Sequence, residues 1–264
     1  MGLSKQEVYI GDFYEKAKAL KATWGRTDLY TTGHSVLDNY FSGGFGRKDG
    51  YEIVLLYGPT GVGKSTVALN FMAPAIKKGT KVGLLVLEDD MADVSNRLSQ
   101  VLNDDEYKQM NSSQTVRCLP EDALTKSWNL KDLLQYIEDW FNEGIELILL
   151  DHVQFAFENA ESVKGENEYI AQRVFMQQLN QLMKKTKKTI ILVSHMNKAT
   201  GAKGMDRIVG SGALAQAATK VIEVTEEKDM IDTLRLNLMK SRFTKKPGFH
   251  YNMKMINSKL ESAA

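Results

Sequence analysis

Four short, almost purely apolar runs mark the middle of this sequence: residues 53–57 (IVLLY), 82–87 (VGLLVL), 147–150 (LILL) and 189–193 (TIILV). Runs of this length, apolar at every position, predict strands buried on both faces. Between them, residues 65–77, a segment from about 91, residues 130–141 and residues 169–185 repeat apolar positions at helical spacing. In the third of these, Leu130, Leu133, Leu134, Ile137, Trp140 and Phe141 share one face and Gly144 ends the pattern. Strand alternating with amphipathic helix predicts an α/β fold whose mainly parallel sheet lies between helices. Residues 116–119 read as a further short strand. After residue 220 the pattern changes, and residues 221–224, 233–239 and 249–256 read as successive antiparallel strands.

Ahead of the first strand, a short helix over 36–40 leads into the glycine-rich turn Ser42-Gly43-Gly44-Phe45-Gly46. Residues 12–22 place Phe13, Ala17 and Leu20 on one side of another short helix, which either projects as an arm or packs on its own domain. The chain thus divides into an amino-terminal arm (1–30), one main domain (31–257) and a tail (258–264).

Composition narrows the picture. With 43% hydrophobic and 25% charged residues, the 264-residue chain is that of a globular protein. Lys and Arg number 34 against 33 Asp and Glu, so nucleic acid could be bound only by a local basic patch. A single cysteine, Cys118, excludes an internal disulfide framework and fits a reducing cytoplasm. No apolar run approaches the roughly 18 residues of a membrane span.

The chemistry starts at Gly58-Pro59-Thr60-Gly61-Val62-Gly63-Lys64-Ser65-Thr66, a full match to G-x-x-x-x-G-K-[ST] between an apolar strand and a helix. The glycines let the backbone curl so that several N–H groups face the phosphates of a nucleotide. Lys64 adds positive charge and the Ser65 hydroxyl can ligate Mg²⁺. ATP with Mg²⁺ is therefore the expected ligand. A second metal-binding acid should end a neighbouring strand, and Asp151 follows Leu150 directly.

His152, not Glu, comes next. Many P-loop ATPases place the water-activating glutamate there, so the base must come from elsewhere. Glu88 follows the run 82–87 at the same sheet edge; Asp89 and Asp90 compete but lie further into the turn. The fourth strand runs into Ser194-His195-Met196-Asn197, where His195 would sit near the γ-phosphate as a sensor, with Gln154 as a second candidate. In the strand from 233, Leu234, Leu236 and Leu238 alternate, and the same parity carries on to Lys240 and Arg242. These two cations are either a solvated hairpin tip or a finger that reaches the γ-phosphate of a neighbouring subunit.

Together these segments resemble the RecA-like motor domain of DnaB-type hexameric replicative helicases, most of all the helicase half of phage primase–helicases. The similarity runs from about residue 32 to 256. It is carried by Thr32-Gly33 through Leu37-Asp38, the phosphate loop, Leu87-Glu88, Leu149-Leu150-Asp151-His152, Ser194-His195-Met196-Asn197-Lys198, Gly210-Ser211-Gly212-Ala213-Leu214 and Lys240-Ser241-Arg242-Phe243-Thr244. The resemblance implies an ATP-dependent DNA helicase of replication that forms a ring, commonly a hexamer, around single-stranded DNA. It implies Glu88 as general base and Lys240 and Arg242 acting in trans. It also makes residues 198–209 a channel loop, with Lys198, Lys203, Arg207 and the turn at Gly210 toward DNA, and residues 158–168 a second one. Residues 12–22 would dock on the adjacent subunit, and a primase or a helicase loader would be a partner. The family's usual additional amino-terminal domain, a helical collar or a primase, has no counterpart in residues 1–30. The rival readings are a RecA-type recombinase and an ATP-switched loading or packaging factor.

Overall fold

The computed structural model describes residues 30–41, 43–46, 50–119, 129–158, 168–196, 204–208, 212–242 and 248–263. The arm, most of both expected channel loops and the tip of the cationic hairpin lie outside them. After a short helix α1 (Ser35–Tyr40), the chain alternates: β1 (Glu52–Gly58), α2 (Lys64–Lys77), β2 (Val82–Val86), α3 (Met91–Val101), α4 (Asp104–Ser113), β3 (Val116–Cys118), α5 (Leu130–Asn142), β4 (Leu147–Asp151), α6 (Val153–Glu158), α7 (Glu168–Thr186) and β5 (Thr189–His195). A 3-10 turn (Gly204–Arg207) and α8 (Gly212–Ala217) lead to β6 (Lys220–Glu226), β7 (Thr233–Ser241), β8 (His250–Ile256) and β9 (Lys259–Ser262).

One sheet contains all nine strands in the order β3-β2-β4-β5-β1-β6-β7-β8-β9. Its first six strands are parallel, and β7, β8 and β9 continue it antiparallel. The fold class is therefore as expected: α/β, RecA-like, mainly parallel, with antiparallel strands at the carboxyl end. The reading of β6 as antiparallel holds only on its β7 side, because β6 pairs in parallel with β1.

The apolar runs are fully buried because both faces of the sheet are covered. Val54 and Leu56 look toward a cluster with α2, while Ile53, Leu55 and Tyr57 look toward α5 and α7. The face predicted for α5 is the one it buries. Residues 258–264, set apart as a tail, include β9: Leu260 is buried, and Asn70 of α2 bonds both the Leu260 N–H and the Ser258 carbonyl. A strand of four residues with one buried side chain has too little alternation to be legible in sequence.

The entry segment is fixed by a charge that the apolar pattern of β6 hid. Lys220 is buried; its ammonium donates to the Gly44 carbonyl at 2.9 Å, pairs with Glu52 at 3.2 Å and lies over the rings of Phe41 and Phe45. The other Glu52 oxygen accepts from the Gly46 N–H. Every ionised atom of the pair thus finds a partner, the condition under which a buried ion pair is tolerated.

Candidate functional site

Four strand ends meet at one edge of the sheet, and their order decides which side chains meet. Because β5 lies between β1 and β4, the loop after β1 and the acid ending β4 flank the end of β5: Gly58 is level with His195, and Asp151 with Val86 of β2. Glu88 stands two residues beyond Val86. The phosphate loop, Asp151, His195 and Glu88, found separately in the sequence, are thereby brought together. They line a cleft of about 320 Å³ with Thr60, Gly61, Gly63, Ser65, Thr66, Asp89, Arg97 and His152.

Two glycines make the loop possible. A Cβ on Gly58 would stand 2.1 Å from the Val224 carbonyl oxygen of the neighbouring β6. Gly63 precedes α2 at φ +91°, the left-handed region that only glycine enters freely. Lys64 is buried, and its ammonium donates to the Pro59 carbonyl at 2.7 Å and lies 3.4 Å from Nδ1 of His195. Burial lowers its pKa, with Asp151 and Glu88 opposing the shift.

Asp151 is buried, and Ser65 donates a hydrogen bond to it. Burial raises its pKa to about 6, helped by the charges of Asp89 and Glu88 and opposed by Ser65 and Lys64. A buried carboxylate and a serine hydroxyl, held together but short of positive charge, are a donor pair that fits Mg²⁺. The raised pKa also predicts a stability effect. Protonation of Asp151 favours the folded chain below the ordinary aspartate value of 3.8, and that contribution is lost as pH rises through about 6. Above pH 6 the ionised group therefore destabilises the nucleotide-free fold, by roughly 3 kcal/mol at 1.36 kcal/mol per unit. Asp151→Asn should raise stability in urea at pH 7.5 by about 1–3 kcal/mol, without Mg²⁺ or nucleotide, and flatten its dependence between pH 4 and 6. A variant less stable than wild type at pH 7.5 would contradict this account.

The three acids after β2 separate by their partners. Asp90 is the N-cap of α3, accepting from the Ala92 N–H, and Asp89 pairs with Arg97 at 2.5 Å. Glu88 is half-exposed and points into the cleft, one oxygen 2.9 Å from Nε2 of His152 and 4.0 Å from Nε2 of His195. His195 also lies 3.4 Å from the Thr60 hydroxyl. Its pKa is lowered to about 4, first by burial and then by His152 and Lys64, so its ring is neutral at physiological pH.

Gln154, the second sensor candidate, does not line the cleft. It donates to Ser194 at 2.6 Å and accepts from the His195 N–H, bracing the end of β5. Beyond His195, Met196 forms a bridge with Ile208, so the strand end connects directly to the loop expected to face DNA. Of that loop's cations, Lys198 and Lys203 lie outside the described residues, as does Gly210; Arg207 ends the 3-10 turn.

Lys240 and Arg242 lie elsewhere. A bulge in the β6–β7 ladder pairs Val221 with Lys240 but Ile222 with Leu238, which breaks the alternation there. The cations therefore do not continue the face of Leu234, Leu236 and Leu238, as the parity predicted. They turn to the opposite face, where Lys240 donates to the Ala215 and Gln216 carbonyls and Arg242 to that of Gln216, at the end of α8. Burial and the charge of Arg242 lower the Lys240 pKa to about 8. Because β7 runs antiparallel to β6, they also stand at the far edge of the sheet from their own phosphate loop. Arg242 bonds Thr219, which bonds Ile53, five strand residues before Gly58, or about 16 Å.

Sequence reasoning missed three features of the site: Arg97, the contact of His152 with Glu88, and a second cavity. This cavity, about 410 Å³, is lined by Glu226, Met230, Leu234 and Met255 among others. Leu234 and Met255 come within 3.9 Å of where a Cβ of Gly63 would stand, so it adjoins the phosphate loop. Residues from three antiparallel strands and turns build it, and nothing in their local spacing announces a shared wall.

Residues 46–201 match the model of the AAA domain family. The chain belongs to that family. With the phosphate loop, the AAA domain chain has the core of a P-loop ATPase. No curated protein sequence is significantly similar to it. Among solved structures it is similar to a helicase ATPase domain, with TM-score 0.76 and 12% identity over 98% of this chain and all of that one. It is also similar to a DnaB-like replicative helicase whose interactions with primase are described, with TM-score 0.75 and 12% identity over all of this chain and 69% of that one. A RadB recombinase gives TM-score 0.66 and 15% identity over 89% of this chain and all of that one. The AAA domain chain thus has the fold of a DnaB-type, RecA-like motor domain. Among its described residues no helix is long and apolar enough to cross a membrane.

Proposed function

We propose that this chain is the motor of a ring-forming replicative DNA helicase, which hydrolyses ATP between subunits and moves along single-stranded DNA. The observation that carries the reading is the separation of the site into two halves. The phosphate cleft, with its candidate base, lies at one edge of the sheet, and Lys240 and Arg242 lie at the other, out of reach of their own cleft.

In this mechanism the loop N–H groups and Lys64 hold the β- and γ-phosphates, and the base of ATP enters the cavity at Leu234 and Met255. Ser65 and Asp151 would hold Mg²⁺, which when bound offsets the phosphate charge. Glu88 orients a water in line with the γ-phosphate and accepts its proton. Arg242 and Lys240 of the next subunit stabilise the charge that develops on the transferred phosphoryl group. His195, neutral and close to Lys64 and Thr60, senses the departure of the γ-phosphate. Its strand passes the change to residues 197–208, where Lys198, Lys203 and Arg207 contact phosphates of the strand.

The test is a forked duplex. Wild-type protein should displace the strand only with ATP and Mg²⁺. Lys203→Ala/Arg207→Ala should bind single strands more weakly, with a salt dependence shallower by about two phosphate contacts. Strand exchange without fork unwinding would support the recombinase reading instead, and ATP-dependent binding without either activity would support a loading factor.

A further inference from the structure

The cleft contains a buried side chain that the mechanism above leaves unused. His152 is 5% exposed and follows Asp151, at the position where many P-loop ATPases carry their glutamate base. We propose that His152 is a positioning residue for Glu88: its ring N–H holds one carboxylate oxygen and leaves the other to receive the attacking water. The proposal rests on the reading of Glu88 as the base.

The tautomer supports it. Nδ1 of His152 faces the Phe155 N–H at 3.3 Å and so acts as an acceptor, which places the proton of the neutral ring on Nε2, 2.9 Å from Glu88. Edge contacts with His195 at 4.1 Å and Phe155 at 6.0 Å between ring centroids fix the plane of the ring. His195 cannot share the task, because its Nε2 stands 4.0 Å from the same oxygen, beyond hydrogen-bond reach. Glu88 is half-exposed on the turn after β2, where an untethered carboxylate would sample several rotamers. The donor atoms of Glu88, His152 and His195 lie within 4.8 Å of one another, a spacing that would also admit a metal ion. Both Nδ1 atoms face donors, however, so both rings present N–H rather than a lone pair to Glu88. Here the residue after the metal-binding acid has changed from supplying the base to holding it.

The experiment uses the full chain with ATP, Mg²⁺ and single-stranded DNA. His152→Gln keeps an N–H at about the reach of Nε2; His152→Asn is too short, and His152→Phe keeps the ring without the donor. The Asn and Phe variants should lose roughly 100-fold in kcat, the scale of a misplaced catalytic group. Their KM for ATP should stay within about twofold, and the Gln variant should recover to within about tenfold of wild type. If His152→Phe does not fold, the Asn and Gln pair decides alone. In a Glu88→Ala background, His152→Asn should cause no further loss, because the group it positions is gone. Losses that multiply, or a change confined to KM, would overturn the proposal. Near-normal turnover of Glu88→Ala alone would instead remove the base reading on which it rests.

Discussion

Glu88→Gln should bind ATP with near wild-type affinity and hydrolyse it about 10²–10⁴-fold more slowly, the range that general-base catalysis contributes. The substitution removes a proton acceptor and keeps size and polarity, so the loop, Lys64, Ser65 and Asp151 remain to bind nucleotide. Affinity should be read with a fluorescent ATP analogue and turnover by phosphate release in single-turnover conditions, which separates chemistry from product release. The two neighbouring acids supply internal controls. Asp89 is paired with Arg97 and Asp90 caps α3, so Asp90→Asn should change stability through the cap and leave the chemical step intact. Near-normal turnover of Glu88→Gln, or a loss of the same size in Asp90→Asn, would move the base elsewhere.

Much of this site was legible because its parts end strands. A buried parallel strand writes itself as a short apolar run, and the first polar residue after it stands at the sheet edge where ligands bind. Glu88, Asp151 and His195 each follow such a run, and the glycine-lysine loop follows another. What the runs do not encode is strand order. That β5 separates β1 from β4, and so sets His195 between the loop and Asp151, is a property of the assembled sheet. His152 illustrates the limit: in sequence it is an absence, the missing glutamate, and its partner Glu88 is distant in the chain, brought near only by the pairing of β4 with β2. The parity of β7 failed for a different reason. One extra residue at a bulge turns every later side chain to the other face, and no composition signal marks it. The polar pattern likewise hid Lys220, whose long side chain reaches its acid beneath aromatic rings.

Arg242→Ala should lose about 10³-fold or more in kcat, as expected when a finger that stabilises transferred charge is removed. The argument is one of distance. From the far end of the β6–β7 ladder the guanidinium cannot reach the phosphates bound by its own chain, so any catalytic effect must fall on another subunit. In the isolated chain it bonds the Gln216 carbonyl, so its loss should leave nucleotide affinity in cis unchanged. Lys240 shares that carbonyl and should show a smaller loss, since a lysine lacks the planar fork that spans two phosphate oxygens.

The central claim, a site completed by the next subunit, is tested most directly by mixing Lys64→Ala protein with Arg242→Ala protein and measuring ATPase activity in the mixture. Each variant alone should be inactive, one lacking the phosphate lysine at every site and the other the finger. In mixed assemblies, an intact cleft on the Arg242→Ala chain meets an intact finger on the Lys64→Ala chain, and part of the wild-type activity should return. A mixture no more active than its separate components, with subunit exchange confirmed, would contradict the account.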